Sequence, residues 1–524
     1  LRNAKAGQIT QGGSTITQQL VKLAVFSTKK EDQTYKRKIQ EIMLALQLER
    51  NYSKEQILTY YLNKVYMANN VYGFGTASHY YFNKELSELS LPQVALLAGL
   101  PQAPNSYDPY ANADQAKERR DLVLYSMKEN GKISNEQYEQ AVATPVTEGL
   151  IAHNNNVDSN DKALVYDSFV TMVLKEVQEK TGLDPYNDGL TIETTIDSKA
   201  QQRLYDIVNT NDYIQYVNDK IQNAVVMLDT KTGAVRAVNG GRKQTTLLGY
   251  NRATDNSRST GSTIKPVIDY GPAIEYLNYS TGQTIMDQRT TYSNGVELNN
   301  WDFSHKGAMT LRTALVYSRN TTALQTFKAV GETNIKSFLN NLDIQIKNDG
   351  QDYLVESNSI GADISPIKMA AAYATFGNYG NYSKPYTVTK VTTRDGQVTE
   401  FKPEQKQAMK DSTAYMITDV LKDSFKYGFA TQAAIPGLPT AAKTGSSNYT
   451  VEQKRAMGAS DYEDIIPDSW FIGYSTDYTI SAWTGYDNPY EQGGGVDTTE
   501  QEYSRLIYYY LMKYMAESSS GDDW

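Results

Sequence analysis

Four serines in this chain are followed three positions later by a lysine, a spacing at which an amine can take the proton of a nucleophilic hydroxyl. The pairs are Ser27–Lys30, Ser159–Lys162, Ser262–Lys265 and Ser365–Lys368. About two such pairs are expected by chance in a chain of this length. The neighbouring residues must therefore decide which pair, if any, is a candidate for catalysis. Only Ser262 follows a glycine turn, in RSTGSTIKPV, and precedes a segment able to start a helix. Ser262 is therefore the candidate nucleophile among the four, with the Lys265 amine one turn on and able to reach its hydroxyl, although the pair alone also fits an ordinary loop-to-helix turn.

Two further triplets carry groups suited to substrate binding. Lys-Thr-Gly occurs twice, and the copy at Lys231 joins two β-branched runs, which predicts a hairpin turn with a solvated lysine. The copy at Lys443 follows LPTAA and precedes SSN, which favours an edge strand lining a cleft. Ser318-Arg319-Asn320 lies between the candidate nucleophile and this second copy, and alone it indicates little, since Ser and Asn are common cap and loop residues.

The order of these motifs is more informative than any one of them. Ser-x-x-Lys at Ser262, Ser-x-Asn at Ser318 and Lys-Thr-Gly at Lys443 resemble the penicillin-binding protein and serine β-lactamase superfamily. NRAT, RSTGSTIKP, SPIKMAAAYATFGNYG and DSWFIGYS are similar to the transpeptidase domain of penicillin-binding proteins, over about residues 190–490. The resemblance implies a donor stem peptide ending in D-Ala-D-Ala, an acceptor amine on a neighbouring stem, and acylation by β-lactam antibiotics, with no cofactor.

The resemblance also implies a role for each residue. Ser262 is the nucleophile, Lys265 the base and Ser318 a proton relay, while Asn320 holds Lys265 and the substrate amide. The substrate-binding strand supplies Lys443, Thr444, Gly445 and Ser446, with the N–H groups of Ser262 and Ser446 as the oxyanion hole. An ordinary lysine has a pKa of about 10.4, and bringing it near 7 takes about 4 kcal/mol. Partial burial and a neighbouring cation can supply that energy, and Lys443 is the candidate neighbour.

Two alternatives to a transpeptidase remain open at this point. A chain with these motifs can be a catalytically weak sensor or scaffold that only binds β-lactams. A β-lactamase is disfavoured, because its best-known class uses an additional glutamate to hydrolyse the acyl-enzyme and none is assigned here.

The first part of the chain carries a second motif set. GGSTITQQLVK, RKIQE, ILTYYLNKVYM, YGFGTAS and LAGLPQAPNSYDP resemble successive motifs of the family 51 peptidoglycan glycosyltransferases, and the fused pair is typical of class A, bifunctional penicillin-binding proteins. Arg37 and Glu41 form either an ordinary surface ion pair or part of a cationic groove for the pyrophosphate of a lipid-linked disaccharide. Residues 1–64 carry eleven Lys/Arg against five Asp/Glu, which favours the groove.

By resemblance, Glu41 is the second catalytic carboxylate of glycosyl transfer. The donor side is lined by Ser14, Thr15, Gln18, Gln19, Lys22, Arg37 and Lys38, and a divalent metal such as Mg²⁺ is compatible with this reaction in the intact protein. The first family motif, which holds the other catalytic glutamate, should precede QGGSTITQQL, yet the ten residues before it include no acid. We therefore expect a chain truncated inside its glycosyltransferase domain, without its membrane anchor and unable to polymerise lipid-linked disaccharide. The expected location is the extracytoplasmic face of a bacterial cell membrane.

The elements that position these residues fall into four regions. Residues 1–150 read as an incomplete all-α, lysozyme-like part, with Ile39, Ile42, Met43 and Leu46 on one side of a helix. Residues 151–221 read as a linker region, polar and flexible at 151–165. Residues 222–500, with hairpins at both ends and helices between, predict an α+β domain on a central antiparallel sheet. Residues 501–524 read as a closing helix and a disordered acidic tail.

Composition excludes several other classes of protein. A net charge of −9 argues against a general nucleic-acid binder. The absence of cysteine excludes disulfides, thiolate metal sites and cysteine nucleophiles, and three histidines are too few for a histidine-rich metal site.

Overall fold

The computed structural model describes residues 14–26, 35–69, 71–151, 158–186, 188–245 and 247–524. The chain forms two compact units, which divide after Asn156. The described part of the first unit is helical, as predicted, and its helices are α1 (Ile16–Val25), α2 (Tyr35–Asn51), α3 (Lys54–Lys64), α4 (Phe74–Phe82), α5 (Leu91–Gly99), α6 (Ala113–Glu129) and α7 (Asn135–Ala143). Ser53 caps α3 in a capping box with Gln56.

The apolar side of α2 is not its buried side. Within the described residues, the side chains of Ile39, Ile42, Met43 and Leu46 are 39–65 % exposed. The buried stripe is instead Arg37, Glu41 and Ala45, at a spacing of four residues. These residues are buried because this side of α2 packs on α1 and α3, and Arg37 and Glu41 can be buried there because they form an ion pair with each other. The spacing of apolar residues alone does not show which face of a helix packs against another element.

Residues 158–221 are not a linker but part of the second unit. Helix α8 (Asp158–Thr181), strand β1 (Thr191–Thr194) and helix α9 (Ser198–Asn209) fill most of this stretch. Phe169, Val173 and Val177 of α8 are buried in the main core of the second unit. The start of α8 was not predicted because it lies within the polar stretch 151–165. Residues 152–157 of that stretch lie outside the described residues.

A five-stranded antiparallel sheet forms the centre of the second unit. Its strand order is β14-β15-β16-β2-β3, with β2 (Gln222–Asp229), β3 (Val235–Asn239), β14 (Ala441–Ser446), β15 (Asp468–Tyr474) and β16 (Tyr478–Gly485). Both predicted hairpins, β2–β3 and β15–β16, are confirmed. Successive residues of β2 enter opposite cores: Val225 and Met227 pack towards α9, whereas Val226 and Leu228 pack on the other face. Helices cover both faces, so β2 reads as a continuous apolar run.

The remaining elements surround this sheet. The other helices are α10 (Gly271–Leu277), α11 (Leu311–Val316), α12 (Asn320–Val330), α13 (Glu332–Asn341), α14 (Pro366–Gly377), α15 (Asp411–Lys422), α16 (Val451–Ala456) and α17 (Tyr503–Met515). The short strands are β4 (Arg258–Ser259), β5 (Thr284–Asp287), β6 (Thr290–Thr291), β7 (Glu297–Leu298), β8 (Gly307–Thr310), β9 (Asp363–Ile364), β10 (Asn381–Ser383), β11 (Val388–Thr392), β12 (Val398–Glu400) and β13 (Gln405–Gln407). Helices α9 and α17 cover one sheet face and α14 the other, which confirms the predicted α+β class.

The acidic tail is ordered, contrary to the prediction. The hydroxyl of Ser519 donates to Asp477 at 2.7 Å, and Lys422 donates to Asp523 at 2.6 Å. The indole of Trp524 donates to the Gly377 carbonyl at 2.8 Å and its ring packs edge-on against Tyr474. One large aromatic side chain, one ion pair and one serine hydrogen bond hold a stretch whose composition alone suggested disorder.

Candidate active site

Ser262 lies in a single 3₁₀ turn, Gly261–Ile264, that is pressed against the edge strand β14. Gly261 adopts φ +50°, and a Cβ there would lie 2.3 Å from the carbonyl oxygen of Ser446. On the strand side, a Cβ on Gly445 would lie 2.5 Å from the carbonyl oxygen of Thr260. Two glycines therefore let the backbones of the turn and the strand meet, which brings Ser262 beside the Lys443 motif.

Two long-range contacts fix the segment that leads into this turn. The Arg258 guanidinium pairs with Asp468 of β15 at 2.9 Å, and Trp470 of β15 donates from its indole to the Ser259 carbonyl at 2.8 Å. The Asp468 carboxylate also accepts from the Trp483 indole and the Ser447 hydroxyl. Sequence analysis missed this cluster, because some 200 residues separate its partners and no local motif marks them.

The two motif lysines are buried side chains. Lys265 is 0 % exposed, and its amine donates to the Ser318 carbonyl at 2.8 Å, to the Ser318 hydroxyl at 3.2 Å and to Asn320 Oδ1 at 2.7 Å. Lys443 is 2 % exposed, and its amine donates to the Ser318 hydroxyl at 2.9 Å and to the Thr444 carbonyl at 2.8 Å. The Ser318 hydroxyl thus sits between two amines.

The predicted contact between Lys265 and Ser262 is not formed in this structure. Among the described residues, the Ser262 hydroxyl has no hydrogen-bond partner, and its residue is half-buried. The Lys265 amine turns to Ser318 and Asn320 because a fully buried amine must satisfy its N–H groups, and these acceptors are the ones within reach.

Burial and like charge act together on the lysines. Burial lowers the pKa of Lys265 well below its ordinary value, and the nearby Lys443 and Arg319 lower it further. Burial lowers the pKa of Lys443 to about 7. The direction predicted from the sequence is therefore confirmed, with burial as the larger cause. An amine that is neutral near pH 7 can accept a proton, and a neutral amine beside Ser318 can also accept that hydroxyl's hydrogen.

Ser318 and Asn320 are held by an ion-pair network that sequence analysis did not find. Ser318 has φ +54°, which orients its side chain between the lysines. The next residue, Arg319, is buried and pairs with Asp287 and Asp302, at 2.9 Å each. Asn320 opens helix α12, and its amide donates to the Asn299 carbonyl at 2.8 Å. The middle residue of the triplet, which had no predicted role, anchors the other two.

The competing motifs lie elsewhere. Lys231 is in the β2–β3 turn, 58 % exposed on its side chain, with a 3.4 Å ion pair to Asp477. Ser365 is the N-cap of α14 with Pro366 after it, and Lys368 donates to the Asp343 carbonyl. Ser159 and Lys162 are on α8, and Ser27–Lys30 lies outside the described residues.

A separate charged cluster lies in the first unit. Glu41 is 4 % exposed; it pairs with Arg37 at 3.1 Å and with Lys38 at 2.8 Å, and Lys38 also donates to the Ser14 hydroxyl at 2.8 Å. Burial acts to raise the pKa of Glu41, but the hydrogen bonds from Lys38 and Arg37 lower it overall. The pair is therefore buried, not an ordinary surface pair.

The other predicted donor-side residues lie on or beside α1. The Thr15 hydroxyl caps α1 by accepting from the Gln18 N–H, and Gln19 accepts from the Tyr61 hydroxyl at 3.2 Å. Lys22 is in the last turn of α1. Sequence analysis missed Thr17, whose buried hydroxyl donates to Glu49 at 2.6 Å and ties α1 to α2.

Comparison with known proteins agrees with this division. The transglycosylase family matches residues 1–128, and the penicillin-binding protein transpeptidase domain matches residues 223–507. Penicillin-binding protein 1A of Streptococcus oralis is 42 % identical over the whole chain and 82 % of its own length. This chain belongs to the class A penicillin-binding proteins. It carries both the transglycosylase and the transpeptidase domain of that bifunctional class.

Solved structures of penicillin-binding proteins share the fold. Penicillin-binding protein 1A from Haemophilus influenzae, at 20 % identity, superposes with a TM-score of 0.63 over 90 % of this chain and 87 % of its own. The protein PonA1 from Mycobacterium tuberculosis, in complex with penicillin V, superposes with a TM-score of 0.59 at 22 % identity, over 69 % of this chain and 95 % of its own. As a penicillin-binding protein, the chain is a peptidoglycan-synthesis enzyme by family.

The described residues include neither a helix suited to span a membrane nor a cluster suited to bind a metal. None of their helices is both long and apolar enough to cross a membrane. No group of three or more His, Asp or Glu side chains among them is arranged to hold a metal ion.

Proposed function

We propose that the second unit is a serine D,D-transpeptidase that cross-links peptidoglycan stem peptides through an acyl-enzyme on Ser262. The observation that carries the proposal is the Ser318 hydroxyl, held 3.2 Å from the Lys265 amine and 2.9 Å from the Lys443 amine. This arrangement links the two amines through one hydroxyl, and the Ser262 hydroxyl, in the turn that leads to Lys265, has no competing hydrogen bond.

In acylation, the Ser262 oxygen attacks the carbonyl carbon of the penultimate D-alanine, and the Ser262 proton passes to a neutral Lys265. The N–H groups of Ser262 and Ser446 stabilise the oxyanion; the close approach of Gly261 to Ser446 supports this assignment. The peptide C–N bond then breaks, and the proton reaches the leaving D-alanine amine through Ser318. An acceptor amine then attacks the ester carbonyl carbon and gives up a proton to Lys265. The ester C–O bond breaks, the Ser262 oxygen takes that proton back, and the new amide is the cross-link.

The substrate grip comes from strand β14 and helix α12. Lys443 and Thr444 bind the terminal carboxylate, and Asn320 holds both Lys265 and the substrate amide. A β-lactam enters the same path, because attack of Ser262 on the ring carbonyl opens the ring C–N bond and leaves an ester on the enzyme. No cofactor takes part in these steps.

The competing proposal is a sensor that is acylated but does not turn over. The two are separated by incubating the chain with a thioester or peptide donor and an acceptor amine, followed by mass spectrometry of the products. A transpeptidase releases many equivalents of the donor's leaving group and forms the donor–acceptor amide. A sensor stops after one equivalent and forms no amide.

For the first unit, we propose that Arg37 and Lys38 bind the pyrophosphate of a lipid-linked disaccharide, with Glu41 beside the departing pyrophosphate. The buried carboxylate between two cations supports this, because it holds their positive groups in place. Lys38→Met should weaken binding of the lipid-linked disaccharide, whereas Lys54→Met, an exposed lysine at the start of α3, should not. Equal binding by both variants would contradict the assignment. The proposed location is the extracytoplasmic face of the membrane, where both substrates occur.

A further inference from the structure

Asp269 is a buried acid that the proposed mechanism leaves unused. It lies in Pro266–Tyr270, the segment directly after Lys265, which is wound as a π-helix, a rare form that recurs at functional sites. Asp269 is 0 % exposed, and among the described residues neither of its carboxyl oxygens has a hydrogen-bond partner. Such a group is strongly disfavoured as an anion unless a nearby positive charge compensates it.

Lys265 provides that positive charge. Burial raises the pKa of Asp269 well above its ordinary value, and Lys265 is the group that opposes this rise. In return, Asp269 is the group that raises the pKa of Lys265, against burial, Lys443 and Arg319. The other titratable neighbour is Tyr270; burial raises its pKa and Asp269 adds to the rise, while its hydroxyl pairs with Thr322 of α12.

The elements packed around this turn offer no other charge to Asp269. Helices α10, α11, α12 and α13 and the 3₁₀ turns at 261–264 and 356–359 contact it, and within the described residues no charged side chain from them acts on its carboxyl. The site's third cation, Arg319, already has Asp287 and Asp302 as partners. Asp269 is therefore the remaining acid that can balance Lys265.

We infer that Asp269 is a positioning residue for acylation: its carboxylate supplies the negative charge that stabilises Lys265 as an ammonium once Lys265 holds the Ser262 proton. This inference rests on the proposed function. In that step the Ser262 O–H bond breaks, the Lys265 lone pair takes the proton, and the Ser262 oxygen bonds to the carbonyl carbon. The reacting state is the one at the rate plateau, where both Lys265 and Asp269 have lost their protons. Lys265 thus gains a positive charge in a buried site next to Lys443 and Arg319, beside an ionised Asp269 that exchanges no atom.

The test is the pH dependence of acylation by penicillin in Asp269→Asn, a substitution that keeps the side chain's size. We expect the plateau rate to fall about tenfold or more, because one unscreened charge interaction is lost. We also expect the acidic limb of the profile to move to lower pH, because Lys265 becomes harder to protonate without the anion. The matched control is Asp167→Asn, a buried acid of α8 whose carboxylate accepts from the Leu248 N–H and which should leave the profile unchanged.

A folded Asp269→Asn protein with the wild-type plateau and the wild-type limb would overturn the inference. Wild-type protein that forms no penicilloyl ester would instead refute the proposed function, so the two failures are distinguishable. If Asp269→Asn does not fold, the inference is tested by infrared spectroscopy, which follows the titration of the Asp269 carboxyl in the wild type and in Lys265→Gln. The absorption of a buried protonated carboxyl should persist to higher pH in Lys265→Gln, since the cation that favours ionisation is gone. Identical titrations in the two proteins would overturn the inference.

Discussion

Replacing Lys443 by methionine tests the proton path most sharply, because the side chain's length and most of its burial are kept while the amine is removed. The amine that is lost donates at 2.9 Å to Ser318, in a site where Lys443 is 2 % exposed. Hydrogen bonds to charged groups contribute about 1.5–3 kcal/mol, which corresponds to a fall of roughly 10- to 150-fold in the acylation rate. Loss of the amine that grips the substrate carboxylate adds to this.

The same substitution has a predicted pH signature. Lys443 is one of the groups that lower the pKa of Lys265, so its removal should raise that pKa. The neutral base is then lost at higher pH than in the wild type, and the acidic limb of the acylation profile should move upward.

The control is Lys231→Met, at the exposed copy of the same triplet. Its 3.4 Å surface ion pair with Asp477 is worth at most about 1 kcal/mol in stability and nothing to the site. Acylation is followed with fluorescent penicillin by quenched time points and gel densitometry, from acid to alkaline pH. Equal losses in the two variants, or a Lys443→Met rate within about threefold of the wild type, would refute the reasoning.

Three further predictions follow from individual contacts. Gly445→Ala places a Cβ 2.5 Å from the Thr260 carbonyl oxygen and should slow penicillin acylation by about tenfold or more. In the control Gly282→Ala the new Cβ meets the Ser280 hydroxyl at 3.7 Å, an ordinary contact distance, so this variant should react like the wild type. Trp524→Ala removes the indole hydrogen bond to Gly377 and the packing on Tyr474. Calorimetry should show the second unit melting a few degrees lower, at about 2–4 °C per kcal/mol of lost stability, with acylation unchanged. An unchanged Tm would mean that the tail contributes nothing to the stability of the fold. The pKa of Glu41 is lowered in the folded unit, so its ionised form stabilises the fold at pH values above the unfolded-state pKa. This stabilisation is lost as pH falls through the folded-state pKa of Glu41. Acid titration followed by circular dichroism should therefore show less destabilisation of the first unit in Glu41→Gln than in the wild type.

The chemistry-bearing residues were predictable because each lies in a local pattern. The turn at Gly261, the edge strand at Lys443 and the hairpin around Lys231 depend on residues within a few positions, and the structure has each of them. The contacts that hold these patterns together were not predictable. Arg258 with Asp468, and Arg319 with Asp287, are pairs between distant segments, and only the fold brings them together.

Composition and residue spacing were poor guides where tertiary contacts decide which residues are buried or ordered. The exposed apolar stripe on α2 has the period of a core face, but Arg37 and Glu41 take the buried side by satisfying one another. The acidic tail has the composition of disorder, yet Trp524 finds a place against the body of the second unit. In both cases, burial or order depends on the surface against which the segment packs, and the spacing of residues in one sequence does not reveal that surface.

The most direct test of the central claim is peptide mapping by mass spectrometry after incubation with penicillin. The account predicts one penicilloyl group per chain, on Ser262, and none on Ser27, Ser159 or Ser365. It also predicts that Ser262→Ala abolishes the adduct while leaving the melting temperature near that of the wild type. An adduct on one of the other three serines, or one that persists in Ser262→Ala, would contradict the assignment of the nucleophile.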